Sequence, residues 1–237
     1  MTEGLWLDEL RLEQDGFRLS ADLSLKPGQV TAVLGPSGEG KSTLLSAIAG
    51  FLAPVAGRVV WDGQDLTQVP PGSRPISILF QDHNLFPHLT VNQNLGLGLH
   101  PTLRLTQADK AKVEWVLDRV GLADLGDRRP GALSGGQQSR AALGRALLAE
   151  RPLVLMDEPF AALGPGLKAE MLDLAVEVLG SAGRTLVMVT HDPEDARRIA
   201  DAVVFVAEGK AVPPVPPQAL LDHPPEALRR YLGREVG

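Results

Sequence analysis

The stretch Gly35-Pro36-Ser37-Gly38-Glu39-Gly40-Lys41-Ser42 decides the fold of this chain. It has the spacing G-x-x-x-x-G-K-[S/T], it follows the short run T-A-V-L, and apolar side chains recur after it at helical spacing. Glycines at these positions let successive backbone N–H groups surround an anion, and the helix start adds about half a positive charge. The stretch therefore predicts a phosphate-binding loop between a buried strand and a helix.

The end of the loop carries the groups that can hold a nucleotide. Lys41 is placed to reach the β- and γ-phosphates, and the Ser42 hydroxyl is placed to bind Mg²⁺. The alternative is a glycine-rich turn with an exposed lysine, and the flanking strand and helix argue against it. A carboxylate at Glu39 would repel phosphate, so we expect it to point outward. The residues predicted to bind phosphate are Gly35, Pro36, Ser37, Gly38, Glu39, Gly40, Lys41, Ser42 and Thr43.

Strand and helix patterns outside the loop predict an α/β fold. Alternating runs near Leu10–Leu12 and Leu19–Leu25 indicate antiparallel strands. Thr106 with Asp109 indicates a helix start, and later apolar strands alternate with helices, which favours a parallel sheet. We predict a P-loop NTPase core with a mostly parallel sheet, an antiparallel β edge subdomain and a helical insertion subdomain.

The same patterns divide the chain, which we read as one domain. The predicted nucleotide-binding core covers residues 1–85 and 151–210, and a helical subdomain covers about 86–150. Residues 211–237 are expected to form a C-terminal tail. No repeated period is visible, which excludes a tandem-repeat architecture.

Composition removes several functional classes. The chain has 237 residues, with 23 Lys and Arg against 29 Asp and Glu, and its formal charge of −6 argues against nucleic acid as a partner. It has no cysteine, which excludes disulfides, thiolate catalysis and cysteine-ligated metals. The first residues do not resemble a secretory signal, and no apolar run reaches the roughly 20 residues of a membrane helix. We expect a soluble protein.

Two carboxylates follow an apolar strand at Leu153–Met156. Asp157 is placed to hold Mg²⁺, and Glu158 could polarise a water molecule that attacks phosphate. Alone, two acids after a strand are more often part of a solvated loop. The phosphate loop in the same chain favours the catalytic interpretation.

The string Leu133-Ser134-Gly135-Gly136-Gln137 precedes another predicted helix. Ser134 can cap that helix, and the following N–H groups form a second place where an anion could bind. At this string the chain resembles the ATP-binding subunits of ABC transporters, whose signature it is. The resemblance extends from about Leu10 to Gly209.

The resemblance implies a mechanism and further site residues. Two copies would pair head to tail, so that Ser134, Gly135, Gly136 and Gln137 of one copy close over the ATP that the other holds. Gln81, in the string I-L-F-Q-D, matches the glutamine that senses Mg²⁺ and the attacking water. His191 matches the switch histidine that contacts the γ-phosphate. The implied catalytic residues are Glu158, His191 and Gln81, and the implied Mg²⁺ ligands are Ser42, Gln81 and Asp157.

Two positions depart from the family pattern, besides Glu39. Gly164 stands where the family usually has an aspartate that helps the two copies pair. Members of the family also stack adenine on an aromatic residue before the phosphate loop, where this chain offers only Phe17 and Trp6. We expect Phe17 to be the stacking residue.

The branch of the family follows from finer resemblances. The segment Val69–Leu95 resembles the subgroup that serves importers of small polar solutes with a substrate-binding protein. The segment Leu95–Pro101, together with the early end of the chain, resembles the ATPase subunits of bacterial thiamine importers. The implied partners are a second copy, membrane-spanning permease subunits and, indirectly, a solute-binding protein, at the cytoplasmic face of the inner membrane. The candidates for permease contact are Asp82, His83, Asn84, Leu85 and Phe86.

Other functions stay open at this point. The same motor could serve iron, sulfate or polyamine uptake, because such a subunit does not touch the solute. A soluble ABC ATPase acting on ribosomes or DNA usually has two cassettes or a long insertion. A GTPase or small-molecule kinase would leave the string L-S-G-G-Q unexplained, and the guanine-binding string N-K-x-D is absent.

Overall fold

The computed structural model describes residues 3–82, 84–222 and 224–231, which group into two compact units. Unit 1 comprises Met1–Ile76 and Thr185–Gly237, and unit 2 comprises Ser77–Arg184. Residues 77–85 and 151–184 thus fall in the same unit as residues 86–150, which are predicted to form the helical subdomain. The predicted division into a nucleotide-binding core and a helical subdomain stays a prediction. None of the helices in the described ranges is long and apolar enough to cross a membrane.

Unit 1 is built on strands, with four helices. Its strands are β1 (Leu5–Gln14), β2 (Phe17–Leu25), β3 (Val30–Leu34), β4 (Ala56–Trp61), β5 (Gln64–Asp65), β8 (Thr185–Val189), β9 (Ala202–Ala207) and β10 (Lys210–Ala211). Its helices are α1 (Lys41–Ala49), α6 (Pro193–Ile199), α7 (Pro217–Asp222) and α8 (Glu226–Tyr231). The strands lie in the order β5-β4-β1-β2-β10-β9-β3-β8.

The sheet of unit 1 has a parallel and an antiparallel part. Strand β3 is parallel to both of its neighbours, β8 and β9. Strand β1 is antiparallel to β2 and to β4, with register shifts between Leu7 and Leu10 and between Asp8 and Arg11. The predicted α/β class, with antiparallel strands at Leu10–Leu12 and Leu19–Leu25, is confirmed.

Unit 2 contains the three longest of the described helices. It contains strand β7 (Leu153–Asp157), nearly all of β6 (Ile76–Leu79), and helices α2 (Val91–Gly96), α3 (Gln107–Arg119), α4 (Gly135–Leu148) and α5 (Pro165–Ala175). A π-helical segment, Val176–Gly180, continues α5. Capping boxes begin α2 at Thr90, α3 at Thr106 and α4 at Ser134, so the predicted start of α3 is confirmed.

Close packing in unit 2 requires a glycine on α4. A Cβ atom on Gly144 would lie 3.0 Å from Val116 of α3 and 3.2 Å from Leu95 of α2. Both neighbours are buried apolar side chains. Because these contacts are tighter than ordinary van der Waals distances, the absence of a side chain at this position lets α4 approach both helices.

A buried arginine closes the end of helix α1. Arg74 is 2% exposed, and its Nη1 donates to the carbonyl oxygens of Ala47 at 2.9 Å and Ile48 at 2.6 Å. Its Nε and Nη2 donate to the carbonyl oxygens of Val69 and Thr67. Burial lowers the pKa of the guanidinium, an effect that nearby Asp65 partly offsets. The cation thus binds two carbonyl groups in the last turn of α1, where Ala47 also accepts from the N–H of Gly50 and Ile48 gains a partner.

We predict that Arg74→Met lowers the free energy of unfolding by about 3 to 5 kcal/mol, because the carbonyl groups of Ala47, Ile48, Val69 and Thr67 all lose hydrogen bonds from the buried guanidinium. Arg104→Met is the matched control, since Arg104 is exposed. Its effect should stay within about 0.5 kcal/mol in urea unfolding. Equal stability of the two variants would contradict the capping role of Arg74.

Candidate active site

The phosphate loop connects the buried strand β3 to helix α1 in unit 1. All five residues of β3 are buried, and Gly40 stands immediately before the helix with a left-handed backbone φ of 89°. No side chain caps α1 at this end. The Lys41 ammonium donates to the carbonyl oxygens of Gly35 at 2.8 Å and Pro36 at 2.7 Å. The loop therefore places a lysine and a helix N-terminus at the carboxyl end of a central strand, as an anion site requires.

Gly35 has no room for a side chain. A Cβ atom there would lie 2.0 Å from the backbone oxygen of Val206 in β9. Gly38 also has a left-handed φ, of 83°, but a Cβ atom on it would meet nothing within 4 Å. The first glycine is thus required by the neighbouring strand, and Gly38 only by the bend of the loop itself.

Phe17 lies against the phosphate loop. A Cβ atom on Gly40 would lie 2.5 Å from the Cε1 atom of the Phe17 ring, which is half-buried. The ring of the other aromatic candidate, Trp6, lies beside Arg58, whose guanidinium is 5.8 Å from the ring centroid. Of the two candidates, Phe17 is therefore the one with a ring beside the loop, and its role toward adenine stays a prediction.

The carboxylate of Glu39 is bound by backbone. Its Oε2 accepts a hydrogen bond of 2.7 Å from the N–H of Glu208, in the turn between β9 and β10. That turn is tight, because Glu208 and Gly209 have left-handed φ values of 52° and 71°. The carboxylate is thus directed to this turn, and an N–H donor offsets part of its charge.

His191 lies in a loop at the same edge of the sheet of unit 1. Strand β8 is parallel to β3, and the N–H of Thr190 donates to the carbonyl oxygen of Val33 at 3.2 Å. The His191 side chain is exposed, whereas Thr190 and Asp195 are buried and share a hydrogen bond of 2.5 Å. Unit 1 therefore presents the phosphate loop and His191 at the carboxyl ends of two adjacent parallel strands.

Asp157 and Glu158 lie in unit 2, at the end of the buried strand β7, and both are half-buried. Glu158 takes a left-handed backbone φ of 45°, which costs a residue with a Cβ atom about 1 kcal/mol. Such a conformation persists only where the surroundings impose it, and it turns the chain sharply after the strand. The two carboxylates are consequently carried by a rigid strand end.

The string L-S-G-G-Q forms the start of helix α4 in unit 2. The Ser134 hydroxyl accepts from the N–H of Gln137, whose side chain accepts from the Ser134 N–H at 2.9 Å. Ser134 and Gly135 are exposed, whereas Gly136 is buried, and a Cβ atom on it would lie 2.7 Å from the Leu167 side chain. The predicted helix cap is confirmed, and it leaves the outer side of this helix start facing solvent.

Gln81 lies two residues after strand β6 and is exposed, as is Asp82. The candidate contact segment continues through Asn84 to Phe86, while His83 lies outside the described residues. Two contacts of this segment were not visible in the sequence. The fully buried Asn94 binds the N–H of Phe86 at 2.7 Å and its carbonyl at 3.1 Å, and Arg145 of α4 donates to the carbonyl of Asn84 at 2.7 Å.

These two contacts fix the segment to the helices of unit 2. Burial lowers the pKa of the Arg145 guanidinium, whose Nη1 atom binds a backbone oxygen. Phe86 keeps 46% of its surface exposed while its backbone is held. An exposed aromatic side chain on a fixed backbone is a common element of protein interfaces. The sequence gives no signal of this anchor, because Asn94 is recognisable only by its burial and by its hydrogen bonds to Phe86.

The residues assigned to Mg²⁺ fit that ion in donor chemistry. Ser42, Gln81 and Asp157 offer hydroxyl, amide and carboxylate oxygens, which are the hard donors that Mg²⁺ prefers. Within the described ranges no three His, Asp or Glu side chains cluster as a metal site. Gly164, at the position where the family usually has an aspartate, stands immediately before helix α5 and provides no side-chain cap.

We predict that Gly35→Ala lowers the free energy of unfolding by about 3 kcal/mol or more, since its methyl group would overlap a backbone oxygen. Gly38→Ala is the control, because it adds only left-handed strain of about 1 kcal/mol. Urea unfolding of both variants measures the difference. Similar losses would contradict the close approach of β9 to the loop.

Comparison with known proteins gives consistent matches. Residues 19–161 match the protein family described as ABC transporter. The thiamine import ATP-binding protein ThiQ of Cereibacter sphaeroides is 59% identical over 229 residues, which is 97% of this chain and 99% of that protein. The protein of the same name from Yersinia pseudotuberculosis is 48% identical, with 92% of each chain covered.

Solved structures give the same fold. The structure of cbiO1 from Clostridium perfringens, part of the ABC transporter complex cbiONQ, superimposes with a TM-score of 0.84 and 29% identity. The match covers 100% of this chain and 96% of that one. The predicted P-loop NTPase fold and the resemblance to ABC ATP-binding subunits are both confirmed.

Proposed function

Because the chain belongs to the ABC transporter family, we propose that it binds and hydrolyses ATP to power the import of thiamine or a phosphorylated thiamine. The assignment of thiamine as the solute rests on the 59% identity, over 97% of the chain, to a protein named for thiamine import. The assignment of ATP hydrolysis rests on the phosphate loop, in which Lys41 and a helix start follow a buried strand. These two parts of the proposal are tested separately.

Binding of the nucleotide is assigned mainly to the phosphate loop. The N–H groups of residue 35 and of residues 37–43 surround the phosphates, and the Lys41 ammonium exchanges its carbonyl partners for phosphate oxygens. Phe17 stacks on adenine, a role supported by its ring lying against Gly40. Ser42, Gln81 and Asp157 would hold Mg²⁺, which would neutralise charge on the phosphate oxygens.

Hydrolysis is assigned to three side chains that the family pattern indicates. Glu158 accepts a proton from the attacking water, and its placement after the rigid strand β7 supports this role. The exposed His191 side chain donates a hydrogen bond to the γ-phosphate, and Gln81 orients the water. Each of these residues positions or stabilises groups in the transition state, where such contacts raise the turnover rate.

Two copies of the chain complete the site. Ser134, Gly135, Gly136 and Gln137 of one copy bind the ATP of the other, which is supported by the solvent-facing start of helix α4. ATP thereby closes the pair, and hydrolysis reopens it. At position 164 this chain has a glycine, so the closed pair lacks the aspartate that usually helps the two copies to pair. Closure moves the permease subunits, which contact the segment from Asp82 to Phe86.

The assembly follows from the same family membership. A subunit of a membrane transporter complex needs membrane-spanning partners, and we place this chain at the cytoplasmic face of the inner membrane as a peripheral subunit. A solute-binding protein delivers thiamine on the opposite side. The charge of −6 supports a system without nucleic acid.

We predict that Glu158→Gln keeps ATP affinity but lowers turnover by a factor of about 100 or more, because the water loses its proton acceptor. Lys41→Ala should instead weaken ATP binding, which calorimetry measures. The two variants serve as controls for each other. Parental turnover in Glu158→Gln, or parental affinity in Lys41→Ala, would contradict the corresponding assignment.

The solute is tested with the complete transporter. We predict that ATP hydrolysis by the chain with its permease in lipid rises several-fold when thiamine-loaded binding protein is added. Glu158→Gln in the same assembly is the control and should show no stimulation. Stimulation by iron, sulfate or a polyamine, and not by thiamine, would keep the motor role and overturn the solute.

A further inference from the structure

We infer that Tyr231, the last residue of helix α8, is a positioning residue for His191. Its hydroxyl donates a hydrogen bond to the carbonyl oxygen of His191. The inference rests on the proposed function, in which the His191 imidazole contacts the γ-phosphate. It concerns a segment, residues 211–237, that the sequence indicated only as a tail.

The loop that carries His191, residues 190–192, is held on both sides by helix α6. The Thr190 hydroxyl binds the carboxylate of Asp195 and accepts from the N–H of Asp192 at 3.1 Å. Asp192 in turn caps α6 by accepting from the N–H of Glu194 at 3.0 Å. These bonds anchor the flanking residues, whereas the contact from Tyr231 holds the peptide of His191 itself.

Helix α8 is seated firmly enough to act in this way. Leu228 is fully buried in a cluster with Leu34 and Phe205, and Tyr231 packs against that cluster. Leu34 is the last residue of β3, directly before the phosphate loop. The preceding helix, α7, is tied to α6 through Arg197 and Asp222 at 3.0 Å. The tyrosine hydroxyl is therefore presented by packed helices and not by a free chain end.

A second, weaker route leads from α8 to the phosphate loop. Arg230 lies 3.5 Å from the carboxylate of Glu208, whose backbone N–H binds the Glu39 carboxylate. The two side chains are 62% and 72% exposed, so this ion pair contributes little. The hydroxyl of Tyr231 is the stronger contact, because it acts on a backbone group of the loop that bears His191.

The consequence is kinetic. The hydrogen bond from the Tyr231 hydroxyl to the carbonyl oxygen of His191 restricts rotation of the peptide group that follows His191. It thereby limits the directions that the imidazole can take. Small errors in the direction of a catalytic contact lower the turnover rate, whereas nucleotide affinity depends mainly on other groups. Loss of the hydroxyl should therefore affect kcat and leave KM for ATP nearly unchanged.

The test is Tyr231→Phe in the full chain, which keeps the ring and removes only the donor. We expect kcat for ATP hydrolysis to fall about three- to ten-fold, the effect of one hydrogen bond, with KM changed less than about two-fold. Glu226→Gln, an exposed change on the same helix, should leave kcat at the parental value. An unchanged kcat in Tyr231→Phe, in a parent that hydrolyses ATP, would overturn the inference.

A double-mutant comparison separates positioning from a general structural effect. If Tyr231 acts through His191, then Tyr231→Phe should cause no further loss of kcat in a chain that already carries His191→Ala. Additive losses would overturn the inference and leave the proposed function intact. A parent chain without ATP hydrolysis, or His191→Ala at the parental rate, would instead overturn the proposed function or its histidine, and the inference with it.

A spectroscopic measurement is independent of activity. Tyr231 is the only tyrosine in the sequence, so 3-fluorotyrosine labelling gives a single fluorine resonance. We expect this resonance to differ in the folded chain from its position in urea, because the ring is half-buried and its hydroxyl is bound. A resonance at the unfolded position would show that the contact is absent and overturn the inference.

Discussion

The close approach of strands β3 and β9 at Gly35 is the constraint on which the site depends. The backbone oxygen of Val206 occupies the space where a side chain would stand, so the chain must leave β3 through a glycine. The left-handed Gly40 then lets helix α1 begin directly after the loop. Because β3 lies between the parallel strands β8 and β9, the loop with His191 emerges at the same edge.

The helix that follows the loop is fixed at both ends by different means. At its start, Lys41 holds two carbonyl oxygens of the loop and is itself buried. At its end, the buried Arg74 binds the carbonyl groups of Ala47 and Ile48 in the last turn. A helix anchored in this way keeps its N-terminal N–H groups at a constant place, which electrostatic binding of phosphate requires.

The sequence predicted those parts of the fold that local patterns specify. The buried strand β3, the ending of α1 at Gly50 and the caps at Thr106 and Ser134 depend on neighbouring residues, and all are confirmed. Helices α7 and α8 were missed, because each has only six residues and is stabilised by distant contacts. Leu228 belongs to the same buried cluster as Leu34, almost two hundred positions earlier, and the prolines of residues 213–217 suggested a tail.

The same distinction holds for the site. The phosphate loop could be predicted from its glycines, whereas the bond from Glu208 to Glu39 joins residues 169 positions apart. Asn94 and Tyr231 were missed for a related reason, because their roles depend on which backbone groups lie beside them. The roles that family membership assigns to Gln81, Glu158 and the helix start at Ser134 stay predictions until they are measured.

The most direct test of the central claim is the mass of the Glu158→Gln chain in solution with saturating Mg·ATP, measured by light scattering. If the phosphate loop of one copy and the start of α4 in another complete one site, the mass should be twice the 25.2 kDa of the single chain. Removal of ATP should return it to the single-chain value. A chain that binds ATP in calorimetry yet stays at the mass of one copy would contradict the account.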